Sequence, residues 1–450
     1  MAGLRTSVHT VTIELDGEYA LLMNQVAGSL DRVPRDMATA VEGHYDGLDE
    51  PTLAYFEARG YLTRSSPDEE DSQLKELVSE LEAARAEVQA APLFSFVTTY
   101  ACNLACSYCF QGNTGMRRSE SGRMSVDLAV RCLEVVARAP RHESRAVVEL
   151  FGGEPLLPSL REVVQEIVRG AEGLGYITRA TTNGTSLEHF SDLLSPTALA
   201  ELQVSIDGDA FAHNRRRIPL SGAPTFDKIW SNVRMALEKG VQIFVSANLD
   251  KRNVESFPRL VDFIDSEGLL GHPLLRVDYI DVKPDPVSPD QGADFELTLA
   301  DIEEFLRDAQ GEHPTLAAIA APHEIGTFDN WVASNFSHQK TRHCGAVTNN
   351  VYFGPDEFIY SCHETVGRSE YAIGRLAANG IDYFPVADNW RSRRVDRLAK
   401  CRRCPYVLTC SGGCAARTNI IEEPHQEYCD GFDTKFRAMI QRQYLAQHQA

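Results

Sequence analysis

The sequence predicts an α/β fold built on a parallel sheet, and three observations carry that reading. Between residue 92 and about 285, six apolar, β-branched runs alternate with helical patterns, the signature of strands joined by helical crossovers. The first run is followed at once by three cysteines in Cys102-Asn-Leu-Ala-Cys106-Ser-Tyr-Cys109. Later strand ends carry Gly-Gly-Glu-Pro, Thr-Asn-Gly-Thr and Ser-Ile-Asp-Gly elements, the positions at which parallel α/β folds keep their ligands.

Taken in order, residues 1–65 form a small unit. Thr10 to Leu15 alternates apolar and polar residues, Asp16-Gly17 is a hairpin signal, and Tyr19 to Met23 follows as its partner. Helical stretches lead to Leu53–Leu62. Residues 66–91 combine an acidic stretch of linker composition, Ser65 to Asp71, with a Leu, Glu and Ala-rich helix over Gln73–Ala90 that joins the first unit to the second. The strands expected in the 92–285 domain are Phe94–Tyr100, Ala146–Phe151, Ile177–Thr182, Leu202–Ile206, Val241–Leu249 and Leu275–Ile280. Helices are expected at Val126–Ala137, Leu160–Leu174, Phe226–Lys239 and Val254–Glu267. A connecting segment, 286–336, holds most of the Pro/Asp-rich stretch Lys283–Asp294 and a helix over Leu299–Ala309; from 337 to 450 cysteines dominate.

Composition narrows the function. A formal charge of −20 argues against non-specific nucleic-acid binding, which needs a basic surface. No run approaches a membrane span, and the start MAGLRTSVHT has no signal-peptide core. Eleven cysteines in a long chain, clustered at C-x-x-C spacings, read as metal ligands rather than disulfides, so a cytoplasmic, oxygen-sensitive protein is expected.

Three thiolates on one tight loop can hold three irons of a [4Fe–4S] cube and leave the fourth iron without a protein ligand. The loop resembles the CxxxCxxC signature of radical S-adenosylmethionine (SAM) enzymes. That resemblance implies a six-unit partial barrel in which the open iron chelates SAM, and a 5′-deoxyadenosyl radical abstracts hydrogen from substrate. It makes Cys102, Cys106 and Cys109 the cluster ligands and gives Gly152, Gly153 and Glu154 the SAM amino group. Asn183 and Ser205 lie in elements similar to the TNGT and SxDG motifs of the peptide-modifying branch, where the serine contacts the SAM ribose or carboxylate. His213-Asn-Arg-Arg-Arg217 resembles an HDxxR element with Asn214 in place of the acid, which puts Arg217 on the SAM carboxylate. Tyr108 is placed against the adenine.

The C-terminal order Cys344, Cys362, Cys401, Cys404, Cys410, Cys414, Cys429 is what polynuclear iron–sulfur ligation or zinc needs. It closely resembles the SPASM domain, which holds two auxiliary [4Fe–4S] clusters. By that resemblance Cys401, Cys404, Cys410 and Cys429 complete the outer cluster, and Cys344, Cys362 and Cys414 hold the inner one. Three [4Fe–4S] clusters and SAM are therefore the implied cofactors. The remaining cysteine, Cys132, falls in a helical pattern as a buried structural thiol. The inner cluster is either open at one iron or closed by a group such as His338, His343 or His363.

Extra clusters suit net two-electron oxidation of a side chain. The implied function is maturation of a ribosomally made precursor peptide by a crosslink such as a thioether or carbon–carbon bond. The N-terminal unit, similar to winged-helix-like peptide recognition elements, would grip the leader by strand addition. A flavodoxin or ferredoxin would supply electrons. The alternative within the enzyme class is a formylglycine-forming sulfatase maturase. Those carry an aspartate after the inner-cluster cysteine, where this chain has His363. An iron–sulfur electron-transfer or peptide-binding protein is the alternative of another class. Asp207, Asp209 and His363 are candidate bases, and no catalytic residue is assigned.

Overall fold

A computed structural model describes residues 3–43, 45–88, 92–111, 122–139, 147–283, 296–319 and 339–448. His338, most of the Pro/Asp-rich stretch Lys283–Asp294 and the end of the connecting segment lie outside the described residues. The chain packs as two units: Met1–Gln89 with His323–Val347 and Arg391–Ala450, and Ala90–Pro322 with Thr348–Trp390. The segment 337–450, expected as one domain, is thus shared between them.

In the first unit, β1 (Arg5–Thr6) precedes a three-stranded antiparallel sheet of β2 (Thr10–Glu14), β3 (Tyr19–Asn24) and β4 (Ser29–Pro34). The expected hairpin forms because the Asp16 carboxylate accepts from the Glu18 and Tyr19 amides at 2.8 and 2.7 Å. Helices α1 (Arg35–Val41) and α2 (Glu50–Ala58) follow, then β5 (Leu62–Thr63), which pairs with β1. Ala20, Leu22, Val33, Val41, Phe56 and Tyr61 close this core.

The acidic stretch expected to be linker instead opens helix α3 (Pro67–Val88). The Ser66 hydroxyl accepts from Glu69 N at 3.3 Å while the Glu69 carboxylate accepts from Ser66 N at 2.6 Å. That reciprocal cap, Pro67 at the first position and acids in the first turn make a strong helix start. The helix is also more than a joint. Leu74 and Val78 bury against Val395, Leu398, Cys401, Val407 and Leu408, so the helix is a wall of the cysteine-bearing segment in its own unit.

The second unit holds β6 (Phe94–Thr99), α4 (Val126–Arg138), β7 (Val147–Gly152), α5 (Arg161–Gly173), β8 (Ile177–Thr182), β9 (Leu199–Ser205), α6 (Ala210–Arg216), α7 (Phe226–Glu238), β10 (Gln242–Leu249), α8 (Phe257–Ser266), β11 (Leu275–Asp281) and α9 (Leu299–Ala309). Strands β6 to β11 run parallel, each beside the next. The sheet continues past β6 through β12 (Val351–Phe353), β13 (Phe358–Tyr360), β14 (Gly374–Ala377) and β15 (Gly380–Tyr383). The pleat sorts the residues by face. One row, Phe96, Leu150, Ala180, Leu202 and Ile243, is wholly apolar and buried; the next, Ser95, Glu149, Arg179, Glu201 and Gln242, is polar. Among the described residues no helix is long and apolar enough to cross a membrane.

Candidate functional site

The site gathers where β6 to β10 end. At the end of β6 the register with β7 slips between Val97 and Thr99, a bulge that re-aims the chain into the cysteine loop. Gly153 N donates to Thr99 O and Glu154 N to Ala101 O, both at 2.9 Å. A Cβ on Gly152 would overlap the Thr99 carbonyl, and one on Gly153 the Ala101 carbonyl. The two glycines were expected to bring backbone close to a ligand. What they bring close is the backbone leading into Cys102. On its far side the loop is held by the segment after α6, through Ala105 N to Ile218 O at 2.7 Å and Leu220 N to Asn103 O at 3.0 Å.

Asn183 does not stand alone at the end of β8. Its Nδ2 donates to Asn103 Oδ1 at 2.8 Å and lies 3.8 Å from Cys102 Sγ; Asn103 Nδ2 in turn donates to Thr185 Oγ1 at 2.9 Å. The Thr-Asn-Gly-Thr element therefore clasps the cysteine loop through Asn103, a residue the spacing alone did not single out. Glu154, 1% exposed, accepts from Leu156 N, Thr182 Oγ1 and Asn183 N at 2.9, 2.7 and 2.7 Å. Burial raises its pKa against those three donors. A carboxylate has about four acceptor sites, so one remains for an ammonium group.

The arginine run divides. Arg215 is exposed, while Arg216 and Arg217 are buried. Arg216 donates to both oxygens of Asp250 at 2.9 Å, and its guanidinium stands 4.8 Å from the centre of the Tyr108 ring. Arg217 donates to the Tyr108 hydroxyl, which donates to Asp207. Asp207 also accepts from Asn248 N and Nδ2 at 3.2 and 3.3 Å. Fully buried and so engaged, its carboxyl group is committed to the fold rather than open to a substrate. Asp209 is likewise committed: it caps α6 through Ala212 N at 2.9 Å and pairs with Arg259 at 2.6 Å. Asn214 explains its own substitution, since its Oδ1 accepts from Thr225 N and Phe226 N at 2.9 and 3.1 Å at the start of α7. A neutral amide does this as well as an acid. Ser205 closes β9 opposite Ser246.

These residues fit the implied cofactor. Cys106 and Cys109 act electrostatically on Cys102, whose thiol is pushed up to about 12, first by burial and then by Glu154. A cationic metal centre would displace that proton. The Arg217 Nε is buried without a partner, and Cys106 and Cys102 both act on its charge, so an anionic group beside the thiol loop would complete it. Among the described residues no three His, Cys, Asp or Glu side chains stand as a closed metal cage.

In the first unit, Cys404, Cys410 and Cys429 all act on Cys401, and Cys404 and Cys429 act on Cys410. The structure thus brings the expected outer set into one field. Between Cys410 and Cys414, Ser411, Gly412 and Gly413 are left-handed in succession, with φ of 57°, 86° and 69°. At Gly413 a Cβ would strike the Tyr428 carbonyl, which lies one residue before Cys429. Cys344 and Cys414 lie in this unit and Cys362 in the other. His343 turns its Nδ1 to Cys410 O at 2.8 Å. His363 packs edge-on or tilted among Phe110, Phe151 and Tyr352, at ring separations of 6.2, 5.9 and 6.4 Å. Cys132 is buried in α4 as expected.

Residues 96–264 match the sequence model of the Radical SAM superfamily. This stretch is a radical SAM domain. It runs from β6 into α8 and contains the thiol loop and the ends of β6 to β10. A probable GTP 3′,8-cyclase of Saccharolobus solfataricus is 27% identical over 176 residues, 38% of this chain and 52% of that protein. One of Methanopyrus kandleri is 29% identical over 174 residues with the same coverage. The chain thus spans about half the length of these curated relatives. Among solved structures, anSMEcpe with bound AdoMet superposes with a TM-score of 0.61 at 16% identity, over 79% of this chain and 100% of that one. Streptococcus suis SuiB bound to precursor peptide SuiA gives 0.56 at 17% identity, over 95% and 99%. At such identities the likeness establishes the fold of the radical SAM domain and its extensions.

Proposed function

We propose that the protein is an oxidative maturase that modifies side chains of a ribosomally made precursor peptide. The observation that carries this reading is the clasped thiol loop of a radical SAM domain in one chain with seven further ordered cysteines. A peptide as substrate is supported by the two structural neighbours, one bound to precursor peptide SuiA and the other solved with a Cp18Cys peptide. The position after Cys362 favours crosslinking over formylglycine formation, since His363 stands where formylglycine-forming enzymes carry an aspartate.

When bound, a [4Fe–4S] cluster with SAM supplies the electron and the hydrogen-abstracting 5′-deoxyadenosyl radical. The chain's own residues do the rest. Cys102, Cys106 and Cys109 hold the cluster. Glu154 takes the SAM ammonium, the unpartnered edge of Arg217 takes the carboxylate, Ser205 takes a ribose or carboxylate oxygen, and Tyr108 lines the adenine. Asn183, expected on the cofactor, also fixes the loop through Asn103. Cys401, Cys404, Cys410 and Cys429 hold one auxiliary cluster, and Cys344, Cys362 and Cys414 hold the other.

The N-terminal unit is suited to gripping a leader. On β2 the Thr12 and Glu14 carbonyls already accept from Arg437 and Gln441, which leaves β4 as the edge for an added strand. A cleft of about 450 Å³ lined by Asn24, Gly60, Glu70 and Gln73 lies in the same unit.

Anaerobically reconstituted protein given SAM, a reductant and a co-expressed candidate peptide should release 5′-deoxyadenosine and remove a pair of hydrogens from the peptide, as read by mass spectrometry. Changing Cys102, Cys106 and Cys109 together to Ala should abolish both. Turnover that survives the triple change would sink the proposal.

A further inference from the structure

Arg393 is 2% exposed, a place where a permanent charge is rarely found without a paired anion. Among the described residues its fork meets only neutral acceptors. Nη2 donates to Gly412 O at 2.8 Å, and Nη1 donates to Pro424 O at 3.2 Å and to Gln426 O. Its Nε is buried with no partner. The three carbonyls are not random choices. Gly412 lies inside the left-handed turn between Cys410 and Cys414, and residues 424–426 lead into Cys429, so one side chain ties together both cysteine-bearing loops.

Cys401, Cys414, Cys344 and Glu427 act electrostatically on this guanidinium; Glu427 is the one carboxylate among them, and it is shared with Lys400 at 2.9 Å. A buried charge lacking an opposite charge is costly. Glu427 is thus divided between two cations, and thiolates bound to a metal centre would add counter-charge from both proposed ligand sets: Cys401 from the outer, Cys344 and Cys414 from the inner. A cube held by thiolates carries net negative charge, and net charge and hydrogen bonding are among the levers that set its potential.

We propose that Arg393, which ties together the loops carrying Cys410, Cys414 and Cys429, is the buried counter-cation of the auxiliary iron–sulfur clusters those cysteines help to hold, and that its charge raises their reduction potential so that they accept electrons. This rests on the reading that Cys401–Cys429 and their partners hold such clusters. Arg393 touches no substrate; it is a positioning and tuning residue.

The test uses the full chain with Cys102, Cys106 and Cys109 changed to Ala, so that only auxiliary clusters remain after anaerobic reconstitution. Iron and sulfide are counted, and midpoint potentials are read by EPR-monitored titration. In this background Arg393→Gln should shift the one-electron equilibrium about tenfold toward the oxidised cluster, a fall of about 59 mV. Arg393→Lys, which keeps the charge but loses the fork, should shift it less than a third as far. Loss of iron from Arg393→Gln but not from Arg393→Lys would also support the charge. Equal potentials in Arg393→Gln and the parent, equal shifts in the two variants, or equal loss of iron from both, would overturn the proposal. A parent that binds no iron would instead overturn the auxiliary-cluster reading beneath it.

Discussion

The two thiol-bearing regions reach the same ligand type by opposite routes. The loop 102–109 hangs from a sheet: Thr99 and Ala101 are bonded to Gly153 and Glu154 backbone, Asn183 and Asn103 clasp one side, and Ile218 and Leu220 the other. Its neighbours would hold it whether or not iron is present. The segment 401–429 has only short turns, a one-turn helix at Val407–Cys410 and three successive left-handed residues. Its order rests on groups brought from elsewhere in its unit, among them α3, Gln25, the Phe432 and Phe436 rings against Tyr406, and one buried arginine, and, in the proposed reading, on what the cysteines bind. Preorganisation by a scaffold and organisation by a ligand are thus side by side in one chain.

The sharpest way to break that contrast is to remove the iron. In chelated protein, amide exchange across 401–429 should accelerate by more than about a hundredfold, while β6 to β9 keep their protection. Equal acceleration in both regions, followed by hydrogen-exchange mass spectrometry, would show that the thiol loop also depends on its cluster.

A change on the scaffold side should be nearly as damaging. Gly153→Ala puts a methyl into the Ala101 carbonyl, and neither backbone can yield without moving Cys102. We expect a loss of roughly 3 kcal/mol of stability and more than about a hundredfold in 5′-deoxyadenosine formation, with auxiliary iron retained. Wild-type rates in this variant would mean that the clasp is slack.

Much of this scaffold was legible in the sequence. Periodicity placed β6 to β11 within a few residues, and Leu299–Ala309 was located to the residue, because a buried parallel strand and an amphipathic helix write different repeats. Gly152 and Gly153 stood out as well, and the structure adds a reason the sequence did not give, the contact of their backbone with Thr99 and Ala101. Other features could not be read. The Ser65–Asp71 composition looked like linker because charge density hid a capping box. Arg216 and Asp250 are paired across 34 residues of sequence, and three adjacent arginines gave no sign of which would be buried. Arg393 sits in a similar basic run, and only packing distinguishes it. The strand-end rule points to Asn248 at the end of β10, whereas Asn103 lies inside the thiol loop and only its bond to Asn183 marks it.

Acid should find a weak point in the same scaffold. His213 is fully buried, with Nε2 at 3.2 Å from Thr225 Oγ1 and Nδ1 accepting from Asp207 N at 3.4 Å. Burial, helped by the Arg217 charge and opposed by Asp207, lowers its pKa from 6.5 to about 4. The unfolded chain therefore binds this proton first. The contribution of His213 is intact above the unfolded value of 6.5 and is lost as pH falls toward 4, by on the order of 3 kcal/mol if the whole shift is expressed. Thermal denaturation of the wild type should lose more stability across this window than that of His213→Gln. Parallel slopes would remove His213 from the account.

The smallest effect tests the clasp alone. Asn103→Ala removes the acceptor of Asn183 Nδ2 and the donor to Thr185 Oγ1, yet leaves the backbone bond from Leu220 N to Asn103 O. Two partly buried hydrogen bonds are worth about 1 kcal/mol each, so the melting transition should fall by roughly 1–2 kcal/mol. Asn183 Nδ2 would keep its 3.8 Å approach to Cys102 Sγ, and Asn183 Oδ1 its bonds from Thr185 N and Oγ1. The rate of 5′-deoxyadenosine formation should then drop only a few-fold, because Gly153 and Glu154 still fix the loop, and auxiliary iron should not change. A loss as large as that expected for Gly153→Ala would mean that the amide clasp, not the paired backbones, sets the position of the first cysteine.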